Sequence, residues 1–138
     1  MLSDPCRSLV ATYIDRVWND GDLKALDELT TSNFRYTLGG QPSIDLEGMT
    51  NFLQVVRGGF PDWHVEVVAL LSEGPLVAAR WQGHATHQGE FRGLAATGRR
   101  IVVCGMNFYA IAEGRIAAEW EQMDSLGMLQ QLGVMPPR

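Results

Sequence analysis

Residues 100–124 read RIVVCGMNFYAIAEGRIAAEWEQMD (Arg100–Asp124). Two runs of alternating β-branched, aromatic and polar residues flank Ile111-Ala112-Glu113-Gly114-Arg115, the pattern of a β-hairpin. The loop fits three residues whose Gly adopts a positive φ and makes a bulge. That register pairs Ile111 with Arg115, Asn107 with Glu119 and Gly105 with Glu121. Strand alternation then sets Asn107, Tyr109, Glu119, Glu121 and Met123 on one face. Met106, Phe108, Ala110, Ile116, Ala118 and Trp120 form a strongly apolar opposite face. A two-residue turn would slip the register by one and part Asn107 from the acids, so the shared face depends on the bulge.

Upstream of this hairpin, Trp63–Leu71 and Leu76–His87 have the same strand character, with Gly- and Pro-bearing turns between them. Before Trp63 the period is helical. Ser3 reads as an N-cap with Asp4-Pro5 in the first turn, and Cys6, Leu9, Val10, Tyr13 and Val17 follow until Asn19-Asp20-Gly21. Asp22 caps a second helix carrying Leu23, Leu26 and Leu29, and a third runs from Asp45 to about Val56. A short strand, Asn33–Leu38, lies between them and ends at Gly39-Gly40. A last helix, Ser125–Leu132, ends at Gly133 before a Pro136-Pro137 tail. Helices first and long strands afterwards imply an α+β fold, with helices covering one face of a curved antiparallel sheet.

The length of 138 residues suits one domain. With 46% hydrophobic and 20% charged residues, the composition is that of a soluble globular protein. Eleven Lys and Arg against sixteen Asp and Glu give −5, which argues against a nucleic-acid partner. No apolar run reaches the roughly 18 residues of a membrane span, and the first residues lack the basic and apolar regions of a secretory signal. Two cysteines, Cys6 and Cys104, make no disulfide framework; two reduced, partly buried thiols in a cytoplasmic protein are expected.

No phosphate loop, dinucleotide fingerprint, nucleophile elbow or zinc-protease motif is present. His84 and His87 lie three apart on one strand and point to opposite faces, so no metal site is expected. The informative pair is Glu119 and Glu121. Two residues apart on a strand, their carboxylates sit about 7 Å from one another. If water is excluded, one of them retains a proton near neutral pH, as a general acid/base requires. Asn107 and Tyr109 add neutral donors suited to an oxyanion or enolate. Alternation alone does not say which face is inside, and both acids could equally be ordinary outward residues of a half-solvated sheet.

Four ordered motifs bear on that choice: His87-x-Gly89-Glu90-Phe91-x-Gly93, Thr97-Gly98-Arg99-Arg100, Glu113-Gly114-Arg115-Ile116 and Asp124-x-x-Gly127-x-Leu129-x-Gln131-Leu132-Gly133. With Val17-Trp18-Asn19-x-Gly21-Asp22 and Phe60-Pro61-Asp62 upstream, nearly the whole chain resembles the SnoaL-like polyketide (ester) cyclases. The resemblance implies a cone-shaped fold shared with nuclear transport factor two and ketosteroid isomerase, with a bent sheet wrapped around three N-terminal helices and a deep pocket. It implies intramolecular aldol closure of a hydrophobic small-molecule substrate without metal or cofactor. Aligned without gaps, the family's catalytic Asp falls on Glu121, its neighbouring pocket His on Glu119 and a further polar position on Asn107. Glu for Asp lengthens the acid by about 1.5 Å, Glu119 replaces a potential cation by an anion, and the family's loop prolines appear as Ala95-Ala96. Another isomerase or hydrolase activity, or simple binding of a hydrophobic molecule, stays open. The Asp-Arg-Asp set of epoxide hydrolases of this fold has no counterpart on the final strand.

Other candidates are weighed against plain packing. Tyr36, Trp81, Tyr109 and Met123 could contact a flat substrate or simply fill the core. His87 could line the pocket mouth or be hydrogen-bonded at a strand end. Tyr13 and Trp18 are expected to close the pocket base by packing, Asp124 to cap the last helix, and Arg99-Arg100 to form a solvated turn. The apolar sheet face with Phe108 and Trp120 needs a cover, for which a homodimer through the sheet is expected.

Overall fold

The computed structural model describes residues 4–136. Asp4 caps helix α1 (Pro5–Tyr13), its Oδ1 accepting from the Cys6 and Arg7 amides at 2.8 and 3.2 Å. Ser3, the expected cap, and Pro137 of the expected tail lie outside the described residues. The chain then widens into a π-helical turn over Ile14–Asn19 instead of continuing as α-helix. In an α-helix residues five apart are rotated by about 140°. Bonding from i to i+5 brings them nearly onto one face, so Tyr13 and Trp18 both look towards the sheet. The end of this turn is fixed from two sides. Arg57 donates to the Trp18 and Asn19 carbonyls, and the Asn19 amide exchanges two hydrogen bonds with the Val65 backbone at 2.7 and 3.0 Å.

Asp22 caps α2 (Leu23–Leu29) and Asp45 caps α3 (Leu46–Gly59). The five strands are β1 (Thr30–Leu38), β2 (His64–Glu73), β3 (Leu76–Thr86), β4 (Arg100–Ala112) and β5 (Arg115–Met123), followed by α4 (Ser125–Leu132). Asp124 caps α4 and Gly133, at φ 82°, ends it. The sheet order is β1-β5-β4-β3-β2. Strands β2 to β5 are antiparallel as expected, but β1 joins β5 in parallel, so the sheet is mixed. None of the described helices is long and apolar enough to cross a membrane.

The β4–β5 register corrects the sequence reading in an instructive way. Glu113 and Gly114, with φ of 55° and 73°, form a two-residue turn that pairs Ala112 with Arg115 and Ile111 with Ile116. Both positive φ values suit a type I′ hairpin. One step further, Ala110 faces Ala118, so Ala117 is an extra residue on β5. The turn alone would have separated Asn107 from the acids; the bulge at Ala117 reverses that slip. Asn107 consequently faces Glu121 and Tyr109 faces Glu119, two residues from the expected pairing but with the same face inward. Ile116, expected on the outer face, precedes the bulge and is fully buried.

The inner face carries Val77, Ala79, Trp81, Ile101, Val103 and Tyr109 against Val10, Tyr13, Val17, Leu26, Met49 and Leu53 of the helices. Gly105 belongs to this face, because a Cβ there would run into the Trp81 indole and the Gln122 carbonyl. On the outer face Met106, Phe108 and Trp120 remain 63%, 55% and 45% exposed. Cys6 is half-buried and Cys104 is exposed rather than partly buried; both are free thiols. Arg100 opens β4, while the Arg99 guanidinium donates to the Gln131 carbonyl near the end of α4 at 3.3 Å.

Candidate active site

Eight side chains from six elements converge on the inner face of the β4–β5 hairpin. Glu119 is fully buried, with no cation in contact among the described residues. Neutral donors satisfy it instead. Tyr13 Oη donates at 2.7 Å to Oε1, and Trp18 Nε1 and Asn107 Nδ2 donate to Oε2 at 3.2 and 3.0 Å. Burial pushes its carboxyl above the ordinary range, while bonds from Tyr13, Tyr109, Trp18 and Asn107 pull it back. Glu121, 7% exposed, has fewer donors: Asn107 Nδ2 reaches its Oε1 at 3.3 Å. Burial, then the charge of Glu119, lift it from the ordinary 4.5 to about 8. Glu119 accepts more hydrogen bonds than Glu121, and this difference favours charge on Glu119 and a retained proton on Glu121.

Asn107 organises both acids. Its Oδ1 accepts from Trp81 Nε1 at 2.8 Å, which fixes the amide with its donors turned to Tyr109, Glu119 and Glu121. An amide has two N–H bonds, and these are already shared among three acceptors. Asn107 therefore aligns the acids and has no donor left for a substrate. Trp81 is likewise committed, bonded to Asn107 and packed edge-on against Trp63 at 6.2 Å. Tyr109 is buried, edge-on to Tyr13 at 5.9 Å. Tyr36 differs. Its hydroxyl is buried beside Glu121 and pulls that carboxyl's proton affinity down somewhat, without a well-formed hydrogen bond among the described residues. Burial and the two glutamates hold that phenol strongly protonated.

The space at the acids is small. Ile14, Trp18, Trp63, Val65, Trp81, Asn107, Tyr109 and Glu121 enclose a chamber of about 10 Å³, the size of one water at most. A cleft of about 680 Å³ lies outside it, between the β1–α3 loop, Phe52 of α3 and the end of β5. Tyr36 lines this cleft, packed at 6.2 Å against Trp18, which lines the chamber, and stacked on Phe52 at 5.6 Å. Met123 lines the outer cleft, not the chamber. His87 is apart from the acids. It is buried against Phe60, its Nδ1 accepting from the Thr97 amide at 3.2 Å, the strand-end environment that was one of its two expected roles. Among the described residues no group of three His, Cys, Asp or Glu is arranged to hold a metal.

The chain matches the family model of SnoaL-like polyketide cyclases over residues 8–132. It belongs to that family. Among solved structures, it resembles IdmH of Streptomyces antibioticus, provisionally named a polyketide cyclase. Identity is 31%, over 96% of this chain and all of that one, with a TM-score of 0.82. A protein of Acidithiobacillus ferrooxidans with the same provisional name is 26% identical over 96% of this chain and 97% of that one, TM-score 0.83. AclR of Streptomyces galilaeus, provisionally named a hydroxylase, shares the fold at 24% identity over 96% and 83% of the two chains, TM-score 0.85. No curated protein matches the sequence. The NTF2-like cone of these SnoaL-like proteins is the fold described above.

Within this SnoaL-like site, Tyr13 and Trp18 went unread as polar groups. Both carry a donor on an aromatic body, and at five residues apart they share a face only because the helix turns π. Glu121 supplies a stability test. Its raised pKa means that folding opposes ionisation, so this contribution is complete below about 4.5, falls as pH rises and levels off above about 8. Glu121→Gln removes the ionisation. Urea midpoints from pH 5 to 9 should fall less steeply for the variant than for the wild type, the gap opening to a few kcal/mol at the alkaline end. Parallel curves would show that Glu121 titrates normally.

Proposed function

We propose that the chain is a cofactor-free cyclase that closes a ring of a polyketide-like substrate by an intramolecular aldol reaction. The observation that carries this reading is the buried, co-facial acid pair bridged by the Asn107 amide. In its ionised form Glu121 takes a proton from the carbon next to a substrate carbonyl. The enolate carbon attacks a second carbonyl, and the alkoxide so formed recovers the proton from Glu121. With Glu121 at about 8, roughly a tenth of molecules hold the base form at pH 7. Glu119 stays anionic and keeps that proton affinity high. Asn107 is a positioning residue, and the unpartnered Tyr36 hydroxyl is the donor free to meet an oxyanion.

The substrate reaches Glu121 from the outer cleft once Tyr36 swings aside, because the chamber holds no more than a water. A water-activating hydrolase with an Arg between its acids is disfavoured, as no cation touches Glu119 or Glu121 among the described residues. The competing reading, a binder without chemistry, is separated by Glu121→Gln. Ring closure of an aromatic polyketide substrate should slow by about 10²–10⁴-fold with ligand affinity kept. In the wild type, kcat/KM should climb with pH and level off above about 8. A Gln variant as active as the wild type would remove Glu121 from the mechanism.

The outer sheet face supports a second reading about assembly: Met106, Phe108 and Trp120 form an apolar patch that a second copy of the chain would cover. Sedimentation equilibrium should give a dimer for the wild type and a monomer for the double variant Phe108→Glu, Trp120→Glu. A monomeric wild type at tens of micromolar would refute the sheet-mediated homodimer.

A further inference from the structure

Phe91 and Leu94 exchange two backbone hydrogen bonds at 2.9 Å, closing a tight turn with Arg92 and Gly93 at its tip. Arg92 has φ 49° and Gly93 φ 85°. Positive φ is ordinary for Gly but costs a bulky residue of order 1 kcal/mol. Arg92 and Glu113 are the only non-glycine residues in this conformation among those described. Glu113 occupies a hairpin turn, but Arg92 overhangs the entrance to the site. Its guanidinium lies 5.5 Å from the centre of the Phe52 ring and 5.6 Å from that of Phe91.

Two adjoining clefts meet beneath it, the one of about 680 Å³ beside Tyr36 and another of about 360 Å³ lined by Phe91, Leu94, Met128 and Leu132. Arg92 lines both, and among the described residues it is the only charged side chain that does so. No carboxylate lies within ion-pair distance of it among the described residues. The one acid on its turn, Glu90, is engaged by the Gly93 amide. Held against two rings by cation–π contact, a guanidinium keeps its in-plane N–H edge free, and that edge fits a carboxylate in bidentate fashion.

We infer that the cleft takes a flat apolar molecule bearing a carboxylate, and that Arg92 is the specificity-determining residue that reads this group at the entrance. The inference rests on the cleft being the substrate's way in, as proposed above, and gives the substrate two ends. Its carbonyl-bearing end points towards Tyr36 and Glu121, while its anionic end stays at the rim. Between them Leu38, Phe52 and Met123 offer apolar walls. Placing the anion at the rim keeps it away from the negative charge of Glu119, which a second buried anion would oppose.

The test is calorimetric binding of 2-naphthoate and of its methyl ester to the wild type, to Arg92→Gln and to Arg92→Lys. The wild type should prefer the acid by at least about fivefold, as a charge-assisted hydrogen bond allows, and that preference should shrink as salt is raised. Arg92→Gln, at an exposed turn, should lose the preference and bind both probes alike; Arg92→Lys should keep part of the preference. Equal affinities in the wild type, an acid preference surviving in Arg92→Gln, or no binding of either probe would each overturn the proposal. Because no turnover is read, the result is independent of whether Glu121 performs the chemistry.

Discussion

Among the described residues two carboxylates lie in the interior of this fold without a cation to neutralise either, and much of the surrounding structure answers that constraint. A buried charge lacking a partner would cost several kcal/mol. Here the cost is met by dipoles: a phenol, an indole and an amide converge on Glu119. Each neutral donor contributes little alone, but removing one would leave a buried charge under-solvated, which costs more than the bond itself contributes. The same donors create an asymmetry. Glu119 has most of them and Glu121 has few, and on the proposed mechanism this divides the pair into a standing anion and a proton carrier.

Two local irregularities of the backbone make that division geometrically possible. The π-helical turn aligns Tyr13 and Trp18 on one side, and Arg57 and Asn19 hold its end against α3, the following loop and β2. The extra residue at Ala117 turns Glu119 and Glu121 inward after a two-residue hairpin would have turned them outward. Each sits beside the acids. Irregularities of this kind recur next to functional sites because they aim side chains that regular elements would misdirect.

The helical caps, strand spacing and final hairpin were legible because short-range chemistry fixes them. Asp22 before an apolar period, Asp124 before Ser125 and Gly133 after Leu132 act within a few residues of themselves. The shared face of Asn107, Glu119 and Glu121 was also legible, though through a bulge assigned to the loop instead of to Ala117. Parity survives such a displacement whereas pairing does not. What could not be read is long-range. The parallel docking of β1 on β5, the bonds from Tyr13 and Trp18 to Glu119 across more than a hundred residues, and the near-closure of the chamber depend on how separate elements meet. Arg92 gave no periodic signal, since its place over Phe52 follows from a tight turn docked beside α3.

The account stands or falls on whether one glutamic acid keeps its proton at neutral pH. Carbon-detected NMR of the chain labelled at glutamate carboxyl carbons, titrated from pH 4 to 10, measures this directly. One resonance should move with a midpoint near 8 and vanish in Glu121→Gln. If every glutamate carboxyl titrates near its ordinary value, the interior is wetter than described and the proton carrier at its centre does not exist.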